Sequence, residues 1–144
     1  MIQKNDILAL AKWRMEKSKN EFELAKKLYS QKEYSEVLVK AYYAVFHAMQ
    51  ALNCFNIGFE KETHKSTGIH FRKDYIATGK VEKIASSYIS YLQRMREKAD
   101  YEDFYMVTDK IAQDVITKAD YLTKSLYEMY LSKIQTFNLE NTKS

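Results

Sequence analysis

The sequence has no proline, 3 glycines and 1 cysteine in 144 residues. Too few residues favour tight turns for a many-stranded barrel or sandwich, so a few long helices are expected. A lone Cys54 excludes an internal disulfide and a cysteine zinc cluster, and with them a disulfide-built secreted scaffold. No long hydrophobic run is present either. The stretch Ile7 to Ala11 is too short for a signal-peptide core or a membrane span. The chain therefore reads as soluble and cytoplasmic, with no membrane partner. Also missing are a P-loop, G-x-G-x-x-G, G-x-S-x-G, H-E-x-x-H and an EF-hand loop.

What is present is apolar content of 46%, enough for one domain with a real core. Tyrosine is in excess, with 12 Tyr against 7 Phe and 1 Trp. The net charge of +4 is unevenly spread. Residues 61–98 hold 9 Lys/Arg against 4 Asp/Glu, whereas residues 99–144 hold 5 against 8. A basic segment with Tyr75, Tyr88 and Tyr91 nearby has the composition of a nucleic-acid surface. A solvated face of two helices gives the same composition.

Apolar spacing predicts five helices. The first runs from about Asp6, as N-cap, to Tyr29, with Leu8, Ala11, Met15, Ser18, Phe22 and Ala25 on one face. The second runs from Tyr34 or Ser35 to Phe55, and the short link between them predicts an antiparallel hairpin. A third starts at the N-cap Thr63 and ends at Thr78-Gly79. The fourth covers Val81 to Ala99 and the fifth Val107 to Ile134. One domain over residues 1–134 is expected, followed by a polar, frayed tail over 135–144.

Periodicity separates the two arginines of the fourth helix. Arg94 continues the polar stripe Lys83, Ser87 and Ser90 and is expected to face solvent. Arg96 continues the apolar stripe Ala85, Ile89 and Leu92. A guanidinium there either forms an ion pair with Asp100 one turn on or waits at an interface for a phosphate. On the second helix, Lys40, Tyr43, His47 and Gln50 form a polar stripe beside the apolar seam. His47 is a proton carrier or a half-buried packing residue. Thr63, His64, Lys65 and Ser66 make either an anion-binding helix start or an ordinary cap. His64 and His70 do not share a face, so no metal or other cofactor is expected. Cys54 has no positive neighbour in sequence and is expected to be unreactive.

Three stretches resemble the HEPN domain family of prokaryotic helical proteins. They are Lys40-Ala-Tyr-Tyr-Ala-Val-Phe-His-Ala-Met-Gln-Ala-Leu52, Thr63-His64-Lys65 with Phe71 beyond, and Leu92-Gln-Arg-Met-Arg96-Glu-Lys-Ala-Asp100-Tyr101. The likeness spans roughly residues 8 to 130. It implies an all-α, up-and-down bundle, commonly a homodimer. Many members of the family are metal-independent ribonucleases, often toxins, or partners of a small nucleotidyltransferase. Their site is an Arg-x(4–6)-His motif at the dimer interface. The Arg carries over to Arg96. The His does not: Tyr101 stands four intervening residues on, and Glu102 and Asp103 follow. Tyrosine, with a reference pKa of about 10, is a poor general base.

The sequence thus supports three functions in order. The first is an RNA- or nucleotide-binding helical partner of a nucleotidyltransferase, in a two-gene toxin–antitoxin-like module. In it Arg96, Lys65 and the basic segment would contact phosphates and exposed tyrosines would stack on bases; across the readings the candidate catalytic residues are Arg96, Asp100 and Tyr101, and the candidate phosphate- or nucleotide-binding residues Lys40, Tyr43, His47, His64 and Lys65. The second is a ribonuclease with a degenerate motif, His47 or His64 substituting for the absent histidine. The third is a purely structural helical dimer.

Overall fold

The computed structural model describes residues 4–142 as an all-α bundle: α1 (Lys4–Ser30), α2 (Tyr34–Ile57), α3 (His64–Phe71), α4 (Ile84–Tyr101) and α5 (Asp109–Thr142). A single π-helical turn, Arg72–Ile76, extends α3. This is the predicted fold class. Helix α2 is the axis of the molecule and packs against α1, α5, α4 and α3. Its apolar residues run round most of its circumference, so Val37, Leu38, Ala41, Ala44, Leu52 and Cys54 are all fully buried.

The hairpin of α1 and α2 turns through Lys32, whose φ of 62° lies in the left-handed region. The α1 seam is buried as predicted at Ala11, Met15, Ser18, Phe22 and Ala25, and the Ser18 hydroxyl donates to the Ala44 carbonyl. Asp6 is not the N-cap. Helix α1 begins at Lys4, which places Asp6 in the first turn, where a carboxylate favours the helix dipole. Thr63 does cap α3, through a reciprocal box in which Thr63 Oγ1 accepts from the Ser66 N–H and Ser66 Oγ from the Thr63 N–H. Gly79, at φ 79°, turns the chain out of the π turn.

Two further expectations differ from the structure. Helix α5 does not stop at Ile134 but continues through Thr142; Lys143 and Ser144 of the expected tail lie outside the described residues. Phe137 carries the extension, since its ring meets Phe55 of α2 edge-on at 5.5 Å and lies under the Lys4 ammonium. Tyr75 is not a surface aromatic of the basic segment. It is fully buried, stacks on Phe71 and donates its hydroxyl to the Leu52 carbonyl. Tyr88 packs on Tyr121, and Tyr91 lies beneath Lys118 and Arg94.

Candidate nucleic-acid interface

The α4 stripe reads as periodicity predicts. Ala85, Ile89 and Leu92 are buried, Arg94 is exposed, and the Arg96 side chain is 16% exposed at the edge of the core. Arg96 Nε lies 2.9 Å from Asp100 Oδ2, an ionic contact off the N–H direction rather than an aligned hydrogen bond. Its Nη2 donates to the Tyr43 hydroxyl at 3.2 Å. The rings of Tyr42, Tyr43 and Tyr101 each stand 5.6 Å from its Cζ. The ion pair and the interface reading therefore coexist: Asp100 and the tyrosines hold the guanidinium, and 16% of the side chain stays exposed. A surface depression of about 400 Å³ borders Arg96, Glu97, Tyr101 and Glu102.

Helix α3 delivers its first residue to this place. His64 stacks on Phe46 at 4.3 Å, and its Nδ1 is 3.2 Å from the Tyr42 hydroxyl. It remains exposed on its other side. Burial first, and the charge of Arg96 second, lower its pKa below the ordinary 6.5. At neutral pH it is a neutral imidazole beside a fixed cation. Tyr42 is the reverse case. Burial pushes its hydroxyl up to about 12, against the smaller opposing effects of Arg96 and Arg72, so it stays a phenol.

The position of His64 is built from below. Glu62, with only 1% of its side chain exposed, accepts from Asn53 Nδ2 at 3.0 Å and pairs with His70 Nδ1 at 2.8 Å. Asn53 also donates to the Thr67 carbonyl. This network pins the α2–α3 connection to α2, and the capping box then starts α3 at His64.

The structure thus brings together Arg96, Asp100, Tyr101, Tyr43 and His64. Lys65 is exposed next to His64. His47 lies one turn along α2 from Tyr43, half-buried, hydrogen-bonded to Gln50 Oε1 at 3.4 Å and turned toward the charges of Lys17, Glu21 and Arg14 on α1. Lys40 is engaged by Glu21 at 3.9 Å. The Ser66 hydroxyl is occupied by the cap. Cys54 does have a positive neighbour in space: Arg14 Nη1 donates to its Sγ at 3.1 Å, yet burial still raises the thiol pKa, so it remains an inert thiol. Sequence reasoning missed Tyr42 and Arg72; the only sequence signal for Arg72 is a glycine one turn before it.

The family model for the HEPN domain matches residues 11–129. The chain belongs to the HEPN domain family. It is also similar to "Putative toxin MJ0142" of Methanocaldococcus jannaschii, at 24% identity over 131 residues, covering 90% of this chain and 88% of that one. The Arg96 centre lies inside the matched span. Within this HEPN chain, Tyr101 follows Arg96 after four intervening residues, and it is 71% exposed. Among the described residues, no helix is long and apolar enough to cross a membrane.

Proposed function

We propose that this HEPN protein binds RNA through phosphate contacts at Arg96, as the toxin-like component of a two-gene module in the cytoplasm. The observation that carries the reading is the Arg96 guanidinium. Tyr43 and Asp100 hold it in place, aromatic faces surround it, and the 16% of the side chain that stays exposed is where a phosphate would meet it. The name of the methanogen relative supports the toxin-like role. Exposed Tyr101 supplies a stacking face for a base. Tyr101, Phe104 and Met106, close in sequence after Arg96, are each largely exposed, which supports a second copy of this chain as partner. A nucleotidyltransferase is the second partner proposed, and co-purification of the native complex tests it.

The RNA reading is tested by titrating RNA against the purified protein at several salt concentrations. The logarithm of the affinity is expected to fall linearly with the logarithm of salt, and Arg96→Ala to weaken binding. A flat salt response, or an unaffected Arg96→Ala variant, overturns it.

A second reading, a metal-independent ribonuclease, is favoured by one observation: His64 stands beside the Arg96 centre as a neutral imidazole. In that reading His64 takes the 2′-hydroxyl proton while the 2′-oxygen attacks phosphorus. Arg96 offsets the charge of the phosphorane, and the 5′-oxygen leaves with a proton from water. Cyclic 2′,3′-phosphate products formed in the presence of a chelator, and lost in His64→Ala, are the expected result. Intact RNA removes the reading and leaves the binding function untouched.

A further inference from the structure

Arg72 presents an imbalance of charge that nothing inside the fold resolves. Its guanidinium is partly buried, in the π turn after α3, and burial lowers its pKa. Its Nε donates to Ser86 Oγ at 2.9 Å, and its Nη2 to Ser90 Oγ at 2.9 Å and to the Ser86 carbonyl at 3.2 Å. All three acceptors are neutral. Among the described residues no carboxylate lies within ion-pair distance of it. A half-buried cation held by neutral acceptors alone leaves its charge to be met by water or by an incoming anion.

The fold also makes room for this side chain. Gly68 lies inside α3, one turn before Arg72, and is buried. A Cβ built on it stands 3.0 Å from Arg72 Nη1 and meets no other side chain within 4 Å. The missing methyl therefore serves the guanidinium. Arg72 also acts on the Tyr42 hydroxyl, more weakly than Arg96 does. Ser90, which anchors Arg72, precedes Arg96 by six residues on α4, roughly 9 Å of helix rise and about a third of a turn around the helix.

We propose that Arg72, fixed by Ser86 and Ser90 and admitted by Gly68, is a second phosphate-binding group, so that the interface grips two phosphates along one single-stranded RNA chain. The inference rests on the RNA-binding reading and deepens it. A nucleoside monophosphate carries one phosphate and fills one arginine; a strand that crosses α4 obliquely carries a phosphate for each. The two serines keep the fork of Arg72 in one orientation, which is what distinguishes it from a surface lysine.

The test uses the full chain and a fluorescein-labelled oligouridylate of 12 nucleotides, with anisotropy read at several salt concentrations. Three variants are compared: Arg72→Gln, Gly68→Ala and Arg96→Ala. Gly68→Ala keeps Arg72 and favours the helix, so lost binding in it is not a failure to fold; thermal melting checks this. Arg72→Gln and Gly68→Ala are each expected to weaken binding about 5- to 30-fold, and Arg72→Gln to lower the salt slope by about 0.7, one single-strand phosphate contact. Unlabelled uridine monophosphate is expected to compete weakly, and its own binding to be unaffected by Arg72→Gln. Retained affinity and slope in Arg72→Gln and Gly68→Ala, with loss confined to Arg96→Ala, overturn the second phosphate site alone. Absence of salt-dependent binding by the parent overturns the RNA reading with it. Equal dependence of uridine monophosphate on both arginines overturns the strand and leaves a mononucleotide site.

Discussion

The Tyr42 hydroxyl and His64 Nδ1 lie 3.2 Å apart, joining the buried axis of the bundle to the first residue of α3. The phenol is fixed in the core and the imidazole is exposed on its far side. Position is thus transmitted from α2 to a surface nitrogen. Tyr42→Phe keeps the ring and removes the tether. The expected loss of stability is small, about 0.5–1 kcal/mol, since the freed His64 nitrogen finds water. The tautomer balance of His64, read from its imidazole nitrogen shifts by NMR, is expected to relax toward that of a free histidine. An unchanged balance would remove the tether.

Glu62 is the deeper support. Its carboxylate accepts from Asn53 and pairs with His70, while Asn53 holds the Thr67 carbonyl. Glu62→Ala leaves the buried Asn53 amide short of an acceptor and is expected to cost about 1–3 kcal/mol, read as a lower urea midpoint at unchanged m-value. RNA affinity is expected to fall in parallel, because α3 then starts from an unfixed loop. Full affinity in a destabilised Glu62→Ala protein would separate the network from the site.

The long elements were legible because α1, α4 and α5 each bury one continuous stripe and α2 is apolar round most of its circumference. Arg96 was separable from Arg94 for the same reason: helical period assigns a face without any tertiary knowledge. Direction and distance were not legible. Tyr75 belongs to a basic segment by composition, yet points into the core toward Leu52. The Arg14–Cys54 and Arg72–Ser90 contacts join residues 40 and 18 positions apart, through packing that no local pattern encodes. His64 meets Tyr42 only because the α2–α3 loop returns at a particular angle, which the Glu62 network sets. The last turns of α5 were hidden by their polar composition, in which Phe137 supplies the anchor.

That anchor is testable. Phe137 packs edge-on against Phe55, and Phe55 also lies beside Tyr130 and under the Lys133 ammonium. Phe137→Ala is expected to destabilise the bundle by about 1–3 kcal/mol, below the full cost of a core phenylalanine because the site is half-exposed. Hydrogen exchange of the amides after Ile134 is expected to accelerate in the variant. Equal stability and equal protection would return residues 135–142 to the status of a tail.

Arg96 and Asp100 make an i,i+4 pair at the edge of the core, with side chains 16% and 32% exposed. Such a pair is worth only about 0.5–1 kcal/mol. Arg96→Ala is therefore expected to melt within a few degrees of the parent while losing RNA affinity. A collapse in stability would instead assign Arg96 to the fold and favour the purely structural dimer.

The histidines set the sign of the pH response. His47 and His64 both have pKa values lowered in the fold, chiefly by burial; Arg96 adds to the lowering at His64. Between the folded value and the unfolded 6.5, the unfolded chain binds more protons, so stability rises with pH through that window. The bundle is accordingly expected to hold its full stability above about pH 7 and to lose part of it as pH falls below 6.5 toward the folded values. Urea midpoints at pH 7.5 and 5.5 check the direction. Arg96→Gln removes the neighbouring positive charge, so the His64 pKa, followed by proton NMR, is expected to rise in that variant while that of His47 stays in place. A rise at both histidines, or at neither, would break the electrostatic link between Arg96 and His64.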